Sequence, residues 1–295
     1  MADVSKSLPA NVAGDWFVDS TCIDCDTCRQ LAPRVFGEAD GYSFVQEQPG
    51  TADERAALRA LVSCPTGSIG TRGHNSAKAV IDDFPLLIES DVYYCGFTSP
   101  KSYGGSSYFI RHPQGNWLID SPKYLPQLVR RFEALGGIAT IFLTHRDDIA
   151  DAAKYAQHFG AARIIHREEI DAQPQAEHLI DGFEPVEIAP DFLAIPTPGH
   201  TAGHIALLYN NPDGQNRYLF TGDHLAWDRD QQRLTAFRDY CWDSWPKQKE
   251  SLAKLLDYSF EWVLPGHGER VHLPADEMHR QLSDLVRRLG VPLAL

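Results

Sequence analysis

Apolar and polar positions change their spacing several times along the chain, and each change marks an element. Ala57, Leu58, Leu61 and Val62 fall on one face of a helical stretch from Thr51 to Ser63. A shorter helix is predicted from Arg29 to Phe36, and a turn and strand from Gly41 to Gln46. From residue 79 short apolar runs alternate with turn signals. Ala79 to Ile81, Leu86 to Ile88, Val92 to Cys95, Ser107 to Ile110 and Trp117 to Ile119 read as successive strands. Helical spacing returns at Lys123 to Leu135 and Asp148 to Phe159, with a buried strand, Ile138 to Leu143, between them. Arg163 to Ile165, Phe192 to Ile195, His204 to Tyr209, Tyr218 to Phe220 and Trp262 to Leu264 are further strands. Ser244 to Leu256 and Ala275 to Leu289 are helices. Strand-rich halves that each end in helices predict two sheets packed face to face with helices outside.

Composition narrows the class. The 295 residues are 43% hydrophobic and 23% charged, as in ordinary folded proteins. No apolar run approaches the length of about 18 residues that a membrane span needs, and Met1 to Asp19 shows no secretory pattern. The formal charge of −13 opposes counterion-driven binding to nucleic acid. A cytoplasmic protein with small-molecule or protein partners is expected, with neither nucleic acid nor membrane among them.

Four of the six cysteines lie early: Cys22, Cys25, Cys28 and Cys64, the last followed by Pro65. Three thiolates in successive Cys-x2-Cys steps wrap one corner of an iron–sulfur cluster, and a remote Cys-Pro closes it. Tetrahedral zinc also takes four thiolates, but usually from two paired knuckles. This stretch, about residues 14 to 72, resembles single-cluster bacterial ferredoxins, in which Cys-Pro is followed by Thr-Gly and a small apolar residue, here Thr66, Gly67, Ser68 and Ile69. The resemblance implies one [4Fe–4S] cluster. Thr71 to Asn75 reads as a connector, dividing a ferredoxin-like domain, 1–75, from a larger one, 76–295. Cys95 and Cys241 are expected as small hydrophobes.

Four turn segments at strand ends carry metal-ligand residue types: Thr144-His145-Arg146-Asp147-Asp148, Pro198-Gly199-His200-Thr201-Ala202-Gly203-His204, Thr221-Gly222-Asp223-His224 and Pro265-Gly266-His267-Gly268. Imidazole and carboxylate beside glycine suit zinc, iron or manganese. Their order resembles the metallo-β-lactamase superfamily, near its glyoxalase II and lactonase branches, over about residues 80 to 272. That implies an α+β chain whose larger domain is a four-layer αβ/βα sandwich with a metal site between the sheets. It further implies His200 as a ligand of a first metal, Asp223 as a bridging carboxylate and His267 as a ligand of a second. Asp120 resembles a recurrent structural acid of this fold, and His204 and His224 are expected beside the ligands rather than among them.

The first motif departs from the family's His-x-His-x-Asp-His. His145 matches its start, but Asp147 stands at the second histidine. Read without a gap, the following acid and histidine become Ile149 and Ala150. With two extra residues they become Asp151 and Ala152. Asp147, Asp148 and Asp151 therefore compete for the oxygen positions. His158 lies seven residues beyond Asp151 on a predicted helix, about 10 Å along its axis, and neither it nor His166 is expected to substitute. The candidate metal ligands are His145, Asp147, Asp151, His200, Asp223 and His267, with Asp151 and Asp223 as candidate catalytic acids. Oxygen in place of nitrogen favours iron or manganese relative to zinc; zinc or iron, as one or two ions, is expected.

Three functions are compatible with these residues. The leading one is a metal-dependent hydrolase of esters, thioesters or lactones. In the second, a redox enzyme, the cluster feeds electrons from an external electron-transfer partner to iron in the larger domain. No Gly-x-Gly-x-x-Gly nucleotide fingerprint supplies them internally. The third is a non-catalytic redox sensor. Trp242-Asp243-Ser244-Trp245-Pro246, preceded by Tyr240, reads either as a pocket wall or as a helix start, with Ser244 as the N-cap.

Overall fold

The computed structural model describes residues 2–212, 214 and 216–292. The chain groups into two compact units, 1–138 and 139–295.

In the first unit the cysteine-rich stretch is closed by Trp16–Val18 pairing antiparallel with Ile69–Thr71. Between these strands lie helix Thr27–Leu31, hairpin Phe36–Ala39 and Tyr42–Val45, and helix Glu54–Ser63. Their inward faces meet in one apolar cluster that includes Trp16, Val18, Val35, Phe36, Val45, Ala57, Leu58 and Ile69. The predicted helix from Arg29 stops early. Pro33 forces Ala32 into an extended-side conformation, with φ −142°, and Phe36 already belongs to a strand. Ala79 to Ile81, expected as a strand, lies within a 3-10 helix, Ala77–Asp83. There Val80 is buried in the cysteine-region core and its neighbours face outward.

An antiparallel meander follows, Leu86–Glu89, Val92–Tyr94, Tyr108–Ile110 and Trp117–Ile119, as the alternation predicts. Helix Pro126–Ala134 packs on it through Phe132 against Phe109, ring centroids 4.9 Å apart. It begins three residues later than the pattern suggests because Pro126 fits its first turn. Cys95 is fully buried. Asp120, at the end of the last strand, is buried with φ +55°.

The second unit opens with parallel strands Thr140–Phe142, Ala162–His166 and His178–Ile180, with helix Ala152–Phe159 connecting the first two. A six-stranded sheet then runs Val186–Ala189, Phe192–Pro196, Ile205–Asn210, Arg217–Gly222, Trp262–Pro265 and Val271–His272. All its pairings are antiparallel except Arg217–Gly222 with Trp262–Pro265. One face packs against helices Trp245–Lys254 and Ala275–Arg288: Ile195, Ala206, Leu219 and Val263 meet Leu252, Met278, Leu282 and Leu285. The two sets of strands are joined at one end, where the Ile205 amide donates to the Thr144 carbonyl at 2.8 Å. The motif loops leave the strands at this end.

Candidate metal centres

The cysteine site is built from a loop that curls on itself. Asp24 and Asp26 adopt φ +56° and +63°, which turns the chain between Cys22, Cys25 and Cys28. Arg29, 7% exposed, holds that curl: it donates to Asp24 and Asp26, at 2.6 Å each, and to the Ser43 hydroxyl at 2.9 Å. Backbone amides point at sulfur, from Asp24 and Ser43 to Cys22 Sγ at 3.4 Å and from Ser68 to Cys64 Sγ at 3.3 Å. Burial pushes the Cys25 thiol up to about 11 and raises Cys22 and Cys28 as well. Four cysteine sulfurs gathered on one loop and the turn after helix Glu54–Ser63, two of them met by backbone amides, are the donor set of an iron–sulfur cluster.

The second site collects the four strand-end turns. His145 leaves Thr140–Phe142 two residues on, fully buried, its Nδ1 3.0 Å from the Thr144 hydroxyl, so that Nε2 faces inward. His200 follows Phe192–Pro196, Asp223 follows Arg217–Gly222, and His267 follows Trp262–Pro265. Their atoms converge on one oxygen: Asp223 Oδ2 lies 3.7 Å from His145 Nε2, 3.6 Å from His200 Nε2 and 3.9 Å from His267 Nε2. These separations exceed a hydrogen bond. Donors bound to one ion at about 2.1 Å stand no more than about 4.2 Å apart, and all three pairs fall within that limit. His145 Nε2, both ring nitrogens of His200 and Asp223 Oδ1 are buried without a hydrogen-bond partner, as befits atoms that would bind a metal. The residues present fit a metal.

The acids of the first motif divide around a short 3-10 turn, Arg146–Asp148. Asp147, half-exposed, places Oδ2 3.8 Å from His145 Nε2 and 3.6 Å from His200 Nε2. Asp148, 1% exposed, turns the other way and joins His145 and Asp223. Two donor groups result, His145–Asp147–His200 and His145–Asp148–Asp223, each with ligand atoms within 4.8 Å of one another. Asp151 stands outside both, at the N-cap of helix Ala152–Phe159, with Oδ1 3.1 Å from Lys154 Nζ. Gly266 explains the tight fit at Asp148: a Cβ there would lie 2.4 Å from Asp148 Oδ2 and 2.7 Å from Asp223 Oδ1.

Electrostatics follow the geometry. Burial drives the His145 imidazolium pKa down to about 4, so the ring is neutral at pH 7 and available as a ligand. Burial pushes the Asp223 carboxyl up, but the neighbouring His267, His145 and His200 outweigh it and hold the group below its ordinary value. The His200 ring beside it, and after it His145, likewise hold Asp147 below its ordinary value.

The surroundings lock these residues. Arg146 bridges to buried Glu169 at 3.1 Å, and Glu169 accepts the Gly203 amide at 2.7 Å, tying the first motif to the second. His204 is buried with Nδ1 2.8 Å from the Thr197 hydroxyl, and its ring lies between those of His145 and His224, at 5.2 and 5.3 Å. His158 meets Phe159 edge-on and His166 is bonded to the Gly182 carbonyl at 2.8 Å. The segment ahead of helix Trp245–Lys254 is a helix start. Ser244 caps the helix, accepting from the Lys247 amide, while Trp242 and Tyr240 stand 64% and 61% exposed. The Trp242 ring lies 6.4 Å from His200, and its amide donates to the His200 carbonyl at 2.8 Å. Cys241 is half-buried, its thiol donating to the Gly199 carbonyl at 3.0 Å.

Comparison with known proteins bears on both parts of the chain. The crystal structure of the B3 metallo-β-lactamase BLEG-1 superposes with a TM-score of 0.50 at 17% identity, covering 67% of this chain and 99% of that one. A subclass B3 metallo-β-lactamase of Bradyrhizobium japonicum gives 0.48 at 15% identity, covering 70% and 91%. A hydroxyacylglutathione hydrolase of Salmonella arizonae is 28% identical over 154 residues, 51% of this chain and 50% of the relative. The chain thus spans about half the length of the curated relative it matches. The fold is that of the metallo-β-lactamases. The 4Fe-4S single cluster domain of Ferredoxin I matches residues 18–71. The chain joins a ferredoxin-type 4Fe-4S domain to a metallo-β-lactamase fold. No helix among the described residues is long and apolar enough to cross a membrane.

Proposed function

We propose that this chain is a metal-dependent hydrolase of a small ester, thioester or lactone and carries an N-terminal [4Fe–4S] cluster. The observation that carries the reading is the convergence of three imidazole Nε2 atoms on Asp223 Oδ2, at 3.6 to 3.9 Å. His145, His200, Asp147, Asp148, Asp223 and His267 would hold one or two ions. A divalent ion bound there supplies Lewis-acid polarisation of a carbonyl and lowers the pKa of water.

The remaining work falls to side chains. Asp148, buried against Asp223 over Gly266, is placed to orient an attacking water and accept its proton; it takes the part for which Asp151 was the sequence candidate. His267, 26% exposed at its side chain, stands on the open side, where a substrate enters. Trp242 and Tyr240 supply an apolar wall for the acyl or leaving group. Glu169 and Arg146 keep the first two loops in register.

Metal and acid-labile sulfide content, measured with turnover of a chromogenic thioester and lactone, tests the reading. Turnover should persist with the cluster oxidised or reduced, and His200→Ala should abolish it. Unchanged turnover in that variant would refute the assignment. One observation favours a second reading: His145, His200 and Asp147 form a two-histidine, one-carboxylate set, a donor pattern of non-haem iron. Iron beyond four per chain, with substrate-dependent reoxidation of a chemically reduced cluster, would move the assignment to a redox enzyme fed by an external electron donor.

A further inference from the structure

Within residues 1–138 the cysteine site is covered by chain that lies beyond the ferredoxin match. Gly104, at φ +87°, presses its Cα onto Cys25 and Pro65: a Cβ there would lie 2.5 Å from Cys25 Cβ, 2.9 Å from its Sγ and 3.2 Å from Pro65 Cγ. The Thr98 hydroxyl donates to the Ser63 carbonyl at 2.9 Å, one residue before Cys64. Lys123 then reaches in from the end of the meander. Its backbone amide is fixed to the Phe97 carbonyl at 3.0 Å, and its Nζ donates to the Pro65 carbonyl at 2.7 Å.

This places an ammonium group at the Cys25–Cys64 edge. The other cation near the cysteines, Arg29, is engaged by Asp24 and Asp26. The module around it is acidic, with ten acidic and six basic side chains in residues 1–75. The Lys123 ammonium donates to a neutral carbonyl of the cluster turn.

We infer that Lys123 is a positioning residue for the iron–sulfur centre that sets its reduction potential, by holding a positive charge against the Cys25–Cys64 edge. In the step concerned, one electron passes from an external one-electron reductant to the cluster. No bond forms or breaks, and the cysteine-bound centre gains one unit of negative charge. The fixed ammonium favours that product, so the potential rises.

The inference rests on the cluster assignment and is independent of the hydrolase reading. The test is a redox titration of the full chain followed by electron paramagnetic resonance, with iron and sulfide counted in each sample. Lys123→Gln keeps a donor for Pro65 but removes the charge; Lys123→Met removes both; Lys123→Arg restores the charge. With a full cluster, the Gln and Met variants should show a reduced-to-oxidised ratio about tenfold lower at a fixed potential, about 59 mV for one electron. The Arg variant should stay within about twofold of the parent, about 18 mV on that scale. Unchanged ratios in Gln and Met, or an equal shift in Arg, would overturn the inference. Loss of iron and sulfide from both neutral variants would also overturn it, reducing Lys123 to a brace for the Cys64–Pro65 turn. Parent chain without sulfide would instead sink the cluster assignment.

Discussion

Gly266→Ala offers a sharp test of the candidate metal centre, because the structure says where the added methyl would go. It would sit 2.4 Å from Asp148 Oδ2 and 2.7 Å from Asp223 Oδ1, against ordinary contacts of about 3.5 Å between non-bonded heavy atoms. Asp148 is buried and the Gly266 amide is bonded to the Gly222 carbonyl at 2.8 Å. Neither side can yield freely, and both carboxylates must retreat by the better part of an ångström. Overpacking of this kind destabilises by about 1–3 kcal/mol, and misplacing reacting groups by about 1 Å lowers a rate by about 10²-fold. Metal affinity would be read by competition with a chromophoric chelator, turnover with the chromogenic thioester, and stability by denaturant midpoint. Leu285→Ala is the control. That residue is 3% exposed in the helix-to-sheet core, and its truncation costs about 2–5 kcal/mol while leaving metal affinity intact. If Gly266→Ala bound metal and turned over like the parent, Asp148 and Asp223 would not act together.

Three further outcomes follow from the geometry. Arg29→Met removes the cation shared by Asp24 and Asp26; breaking such a pair costs about 3 kcal/mol or more, and thermal bleaching of cluster absorbance should shift to lower temperature. Trp242→Ala, at a largely exposed position, should change stability by less than about 0.5 kcal/mol. Loss of about 0.5–1.5 kcal/mol of aromatic contact should raise KM by about two- to tenfold for a substrate with a flat or apolar group. The third outcome concerns pH. Glu177, hydrogen-bonded to Arg163, is held down to about 2 from an ordinary 4.5. A depressed carboxyl contributes stability above its unfolded value and loses it as pH falls from there through the folded value. The pair is part-exposed, so that contribution is about 1 kcal/mol or less. Glu177→Gln should lower the denaturant midpoint at pH 7 and leave it close to the parent's near pH 2; an equal loss at both would refute the linkage.

The strongly alternating parts of the chain were legible before any coordinates. The meander from Val92 to Ile119 and the strands around Phe192, His204 and Tyr218 follow a period of two or an unbroken apolar run, because tertiary burial acts on each of them directly. Three-residue strands such as Trp16–Val18, His178–Ile180 and Arg233–Thr235 were not legible. The meander's strands are no longer than these, but they come as a series of apolar runs separated by turn signals, whereas each of these stands alone. The Ala79 to Ile81 stretch failed for a related reason: a run of apolar residues says nothing about direction, and only Val80 is drawn into a core. At the metal site the histidines were readable from their glycine and proline neighbours. What the spacing alone could not decide was how a chain lacking two motif histidines would turn. The 3-10 turn Arg146–Asp148 sends consecutive side chains to different sides, so Asp147 meets His200 while Asp148 meets Asp223.

That turn changes the chemistry of the pocket as well as its shape. Three carboxylates, Asp147, Asp148 and Asp223, now face three imidazoles, His145, His200 and His267. Burial keeps the His145 ring neutral at pH 7, and Asp223 stays below its ordinary carboxyl value in spite of its burial, with His267 foremost among the groups that lower it. A concentration of carboxylate charge this far from water is unfavourable unless a cation neutralises it. Replacing a motif histidine with Asp147 adds to the charge a cation must balance, without adding a donor. The same exchange makes the donor set harder. On the metal-binding reading, a site of this kind depends more on its ion for stability than an all-imidazole one, and its harder donors favour iron relative to zinc.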